Sequence, residues 1–259
     1  MLRKVIATDE RIHCLPEVFN STYDARDDFP SGIPYYFEFL EQTVREDPAK
    51  CHPDAASGIV SAYFRLIAAR MEAAGRTALV DVKYNSLNHA DGTWRSPGTP
   101  PEMLRLFSKQ SFPILHLRRR NLVRLAFSLL RAHQTRAFVA EPGDEVSAAA
   151  INVNVPGFLF SLKDLKTSDE LFCRWLQLTG ADTLELVYED LFEEHPGSAF
   201  DREPFERIAG FFKFKEMRFD LVAKTQKLAP QDLRNEISNF DELNAALRGT
   251  EYEPFLHSP

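Results

Sequence analysis

The sequence predicts an α/β fold in which helices cover a central parallel sheet in three layers, and two observations carry this reading. Two short apolar runs, Leu79, Val80 and Val82 and then Ile114, Leu115 and Leu117, are close to continuous rather than strictly alternating, as in strands buried on both faces. The segments between and beyond them place apolar residues three and four apart, the spacing of amphipathic helices. Strands that alternate with helices pair in parallel through helical crossovers.

Taken in order, Leu2, Val5 and Ile6 have helical spacing, followed by a turn at 8–11 and an apolar entry into Pro16 and Glu17. DFPSG at 28–32 is a turn, and 34–46 reads as a helix with Tyr35, Phe39, Leu40 and Val44 inward. Asp54 is the expected N-cap of a helix over 55–74, closed by Gly75, with Ile59, Tyr63, Leu66, Ile67 and Met71 as its core face. Residues 77–84 form the next strand, and Lys83 stands at its carboxyl end, either facing a ligand or snorkelling. The loop over 85–101 carries His89, Trp94 and Arg95, which either contact a sugar or anchor the loop. A short helix over 101–109 leads to the strand that begins at Ile114.

Arg118, Arg119 and Arg120 follow that strand and precede a helix reaching to about residue 136. A helix start is already positive, so each added cation costs roughly 0.3–1 kcal/mol unless something negative lies close. Helix-start amides and arginine forks both suit phosphate or sulfate, which makes this an anion site. The alternative is that these arginines pair with some of the 38 Asp and Glu residues. In the helix, Leu122, Leu125, Ala126 and Leu129 form one apolar face and Val123, Phe127 and Leu130 another. The polar stripe left between them is Arg124, Ser128, Arg131 and Thr135. Further on come a small-residue loop over 141–150, a helix over 168–178 stopped by Gly180, a strand over 184–188 that opens into Glu189 and Asp190, and helices over 205–212 and 231–247. The two acids suit a helix start and a pairing with arginines.

The 259 residues suffice for one domain, taken as 1–259. A formal net charge of -7 argues against nucleic acid as a partner, and no run approaches the ~18 apolar residues of a membrane span. Cys14, Cys51 and Cys173 are odd in number and far apart, which indicates neither a disulfide framework nor a zinc site, and a cytoplasmic location is the simplest. GxxxxGK[ST], GxGxxG, GxSxG and HExxH are absent, so ATP-type phosphate loops, dinucleotide folds, serine hydrolases and zinc proteases lose support.

The order Leu117-Arg118-Arg119-Arg120-Asn121, with Ala126-Phe127-Ser128 placing Ser128 eight residues after Arg120, resembles the 3'-phosphate-binding motif of sulfotransferases that use 3'-phosphoadenosine 5'-phosphosulfate (PAPS). The likeness is nearest to the bacterial carbohydrate enzymes of the nodulation-factor and trehalose type. It extends to MLRKVIATDERIHCLPEVFN at the start, to Tyr188-Glu189-Asp190-Leu191, and to the segments at 239–243 and 247–256. The resemblance implies a P-loop nucleotide-kinase-like fold, PAPS as sulfuryl donor without a metal, and a hydroxyl of a carbohydrate or glycolipid as acceptor. It assigns Arg120 and Ser128 to the 3'-phosphate and Glu17 to the general base, with His13 as another candidate. Lys83 would neutralise charge on the substrates, and Lys224 and Lys227 would belong to a basic loop that closes over the nucleotide. The family's first strand and phosphosulfate loop lie upstream of the segment that Met1 begins. Either Met1 is not the natural start, or the chain is an inactive nucleotide-binding or scaffold relative. A phosphate-sensing module with another ligand is the third reading.

Overall fold

A computed structural model describes residues 2–19, 32–93, 95–96, 98–135, 150–192, 203–215, 217 and 232–258. Within them the chain is mixed α/β, mostly helical, with two small parallel sheets. Helix α1 (Leu2–Ile6) leads into strand β1 (Ile12–Glu17); α2 (Tyr36–Glu46) and α3 (Ala56–Ala73) precede β2 (Thr77–Asp81). Helix α4 (Glu102–Lys109), strand β3 (Ile114–Arg118), helix α5 (Leu122–Thr135), helix α6 (Val155–Thr179) and strand β4 (Thr183–Val187) follow. The chain continues through α7 (Tyr188–Phe192), α8 (Glu203–Phe211), α9 (Phe240–Leu247) and α10 (Glu253–Leu256).

Strand β1 pairs with β2 in the register Ile12↔Thr77 to Glu17↔Asp81, shifting between Leu15 and Glu17. Pro16 lies at the shift, where a residue without an N–H cannot continue the ladder. Strand β3 pairs with β4 from Ile114↔Thr183 to Arg118↔Val187, which sets His116 opposite Glu185. The single central sheet expected from the sequence is therefore two pairs, with no ladder joining them among the described residues.

Both pairs nevertheless feed the same hydrophobic clusters. Ile12, Leu79, Leu115 and Leu186 meet Val5 and Ile6 of α1 and Phe205 and Ile208 of α8. Their neighbours Leu15, Val80 and Ile114, pointing the other way in the period-two pleat, meet Tyr63 and Ile67 of α3, Leu104 of α4 and Phe172 and Leu176 of α6. A third cluster holds Val123 and Phe127 of α5 against Phe158 and Leu162 of α6 and Leu243 and Leu247 of α9. Burying an aliphatic or aromatic side chain contributes roughly 1.5–3 kcal/mol, so these clusters fix the frame on which the strand ends sit.

Several local expectations change. Residues 12–17, read only as a short apolar entry into Pro16 and Glu17, are a strand. Asp54 does not cap α3; it lies inside the 3-10 turn Pro53–Ala55, and α3 starts at Ala56 behind Ala55, which makes no side-chain cap bond. Helix α6 starts at Val155, well before the expected 168, because Pro156 occupies its first turn and the Asn154 side chain accepts the Gly157 N–H. It ends as expected at Gly180, which takes the left-handed conformation at φ 61°. The helix expected over 231–247 is a 3-10 turn, Leu233–Asn235, and then α9. Between those pieces Ile237 bridges to Ile151, and Asn239 both accepts from Val153 N–H and donates to Val153 O at 2.8 Å.

Candidate functional site

The turn from β3 to α5 collects the three arginines, and each has its own anionic or aromatic partner. Arg118 donates from Nε to Asp169 Oδ1 at 3.0 Å, from Nη2 to Asp169 Oδ2 at 2.5 Å and from Nη1 to Glu185 Oε1 at 3.0 Å. The hydrogen bonds to Asp169 are the main reason its pKa rises above the usual arginine value. The Arg119 guanidinium lies 3.9 Å from the centre of the Tyr188 ring, within cation–π range. Arg120 donates from Nη2 to Asp190 Oδ1 at 2.6 Å, and both side chains are about half exposed.

The amides of this turn are also engaged. Glu189, 7% exposed, accepts the Arg120 N–H at 2.9 Å and the Asn121 N–H at 3.1 Å. Asn121 Oδ1 then accepts the Arg124 N–H at 2.9 Å, while its Nδ2 donates to Phe255 O at 3.1 Å. Arg124 itself holds Ser258 O through Nε at 3.0 Å and Nη2 at 2.8 Å. The negative charge at this helix start is thus a carboxylate of the chain, and Arg118 and Arg120 pair with acids as the alternative reading had it, while Arg119 lies over Tyr188. Ser128 is partly buried on α5, eight residues beyond Arg120, which stands ahead of the helix.

A second group forms at the carboxyl end of the first strand pair. Glu17 ends β1 opposite Asp81, and Lys83 Nζ donates to both Asp81 oxygens at 3.1 and 3.0 Å. Lys83 thereby lies beside the register partner of Glu17. His13 is farther back on β1, opposite Ala78. His89, in the 3-10 turn Tyr84–Ala90, stacks on Phe19 at 5.4 Å and meets Phe37 edge-on at 5.2 Å; burial lowers its pKa. Arg95 binds Asp91 and Asn88 at 2.8 Å each, donates to Thr99 O and lies over Trp175. Both residues therefore anchor the loop, the second of the two roles read from the sequence. Trp94, Lys224 and Lys227 lie outside the described residues.

The chain thus brings Glu17, Asp81 and Lys83 together, and separately Arg120, Glu189 and Asp190. The acids that hold the cations, Asp81, Asp169 and Glu185, were not singled out from the sequence. Asp81 and Glu185 could have been found by register, since each lies on a strand beside a candidate; Asp169, on α6, carries no local signal. Comparisons with protein-family models, with curated proteins and with solved structures found no match.

Proposed function

We propose that this protein is a sulfotransferase that moves a sulfuryl group from PAPS to a hydroxyl of a carbohydrate or glycolipid. The observation that supports the reading is positional. Glu17 is the last residue of β1, Lys83 stands two residues past β2, and Arg120 stands two residues past β3. Ligands of open parallel α/β sheets bind at the carboxyl ends of the strands.

In this reading the two strand pairs are halves of one central sheet with helices on both faces, the nucleotide-kinase-like arrangement. Their shared hydrophobic clusters support it. A further strand between the pairs, carrying the 5'-phosphosulfate loop, would complete the sheet. Arg120 would exchange Asp190 for the 3'-phosphate and the Ser128 hydroxyl would donate to the same group, with Lys224 and Lys227 closing over it. As the bond from sulfur to the bridging phosphate oxygen breaks and the acceptor oxygen bonds to sulfur, Glu17 would take the acceptor's proton and Lys83 would offset the negative charge. Such in-line transfer depends on positioning and electrostatics rather than on a covalent enzyme intermediate. Three free cysteines suit a reducing, cytoplasmic setting.

Calorimetric titration with adenosine 3',5'-bisphosphate, with ATP as control, tests the nucleotide assignment. Selective binding of the bisphosphate is expected. Equal binding of ATP would favour the phosphate-sensing module, and a folded chain that binds neither would overturn the assignment. The inactive relative is the second reading, favoured by Glu189 filling the helix start that an anion would otherwise use. Selective nucleotide binding with no sulfuryl transfer from labelled PAPS to any carbohydrate would decide for it.

A further inference from the structure

His116 lies in the middle of β3 and is 3% exposed. Its Nε2 is 2.8 Å from the Tyr84 hydroxyl, but its Nδ1 has no hydrogen-bond partner. A buried polar atom left unpaired is destabilising, so this nitrogen calls for a ligand. Across from it, one turn apart on α6, are Asp169 and Cys173, and the ligating atoms of all three residues lie within 4.8 Å of one another. Glu185, the register partner of His116 on β4, brings Oε2 to 3.9 Å from Nδ1.

We propose that His116 Nδ1, Asp169 and Cys173 Sγ bind a divalent transition-metal ion of the zinc class, with Glu185 or a water as fourth ligand. The donor set is one imidazole nitrogen, one thiolate sulfur and carboxylate oxygen, which zinc accepts in a tetrahedral site. Bond lengths of about 2.0–2.3 Å require the ligands to draw together by about 1 Å, within reach of side-chain rotation by Asp169 and Cys173. With the metal on Nδ1, Nε2 keeps its hydrogen and donates it to the Tyr84 oxygen, the outer partner that orients a metal-bound histidine. Arg118 already neutralises one charge of the Asp169–Glu185 pair, and each of these carboxylates keeps free lone pairs for an ion. Two carboxylates and a thiolate against Arg118 and a divalent ion sum to zero, so the site is balanced when loaded. The metal would staple α6 to both strands of the second sheet. Its role is structural, and it is independent of the sulfotransferase reading.

Cobalt(II) and zinc(II) titrations of the full chain test the site. Exposed Cys51 and His52 adjoin one another and could bind metal on their own, so the parent is the Cys51→Ser variant. The expected result is one cobalt ion per chain with a thiolate-to-cobalt charge-transfer band, displaced by zinc, and a Tm that zinc raises. Adding Cys173→Ser should abolish both the band and the zinc-dependent rise in Tm. Tyr84→Phe, which removes only the outer partner, should weaken cobalt binding about 10–100-fold while keeping the band. A Cys51→Ser chain that shows no band and no Tm response to zinc overturns the proposal. So does a band that survives Cys173→Ser.

Discussion

Glu189 and Arg120 are joined through the backbone, the buried carboxylate accepting the Arg120 N–H at 2.9 Å while its other oxygen accepts from Asn121. A negative charge on two amides just ahead of α5 complements the positive end of that helix. Glu189→Ala removes both bonds and leaves the amides without a carboxylate. The expected cost is about 1.5–3 kcal/mol, read as a lower urea midpoint at constant slope. A change below about 0.5 kcal/mol would mean that water replaces the carboxylate without loss.

The side chains of the same turn separate stability from binding. Arg120 and Asp190 are half exposed, so breaking their pair should change stability by no more than about 0.5 kcal/mol. Under the proposed function, Arg120→Ala weakens adenosine 3',5'-bisphosphate binding about ten-fold or more. Asp190→Asn acts oppositely and tightens it, because the nucleotide no longer competes with a carboxylate for the guanidinium. Calorimetry on both variants checks the pair, and a fall in affinity for Asp190→Asn would contradict the exchange.

Arg131 and Glu236 form a buried ion pair, their side chains 7% and 9% exposed, that ties α5 to the segment bridging to Ile151. Breaking a buried pair of this kind is costly, and Arg131→Met or Glu236→Leu should each cost about 3–5 kcal/mol. The double variant should recover most of that loss. A double-mutant cycle by chemical denaturation measures the coupling, and simple additivity would show that the two charges act independently.

His89 supplies a pH dependence. Burial among Phe19, Tyr36 and Phe37 lowers its pKa from the ordinary 6.5, so as pH falls the unfolded chain takes up the proton first. Its contribution is fully present above the ordinary value and is lost as pH drops through 6.5 toward the folded value. His89→Gln should therefore lose less stability than the parent between about pH 7.5 and about pH 5.5. Denaturation midpoints at the two pH values give the comparison, and parallel losses would refute it.

Elements with an unbroken pattern were legible in the sequence. Strands β2 and β3 and helix α3 declare themselves through apolar runs or a four-residue rhythm, and α5 through its polar stripe. Strand β1 was hidden because His13 and Pro16 interrupt it, and the first half of α6 because Pro156 and Gly157 look like loop residues when they are the opening of a capped helix. The alternation in β3 also misleads: Leu117 is 37% exposed while His116 is buried. At the candidate site, the places of Lys83 and Arg120 at strand ends could be read in advance, and that of Glu17 could not, because its strand was hidden. The pairing of Asp190 with an arginine was legible too, whereas Asp169 on α6 was not, since it lies dozens of residues from Arg118 and only the fold brings it near.

The two strand pairs also differ from one another in when they can form. Ile12 meets Thr77 and Ile114 meets Thr183, so each pairing closes a loop of roughly 65–70 residues, and the two loops follow one another without interleaving. During synthesis, the earlier pair has all its residues once Asp81 has left the ribosome, before any of β3 has emerged. The order of assembly is thus written into the order of translation, with the amino-terminal half able to act as a template against which the later half docks.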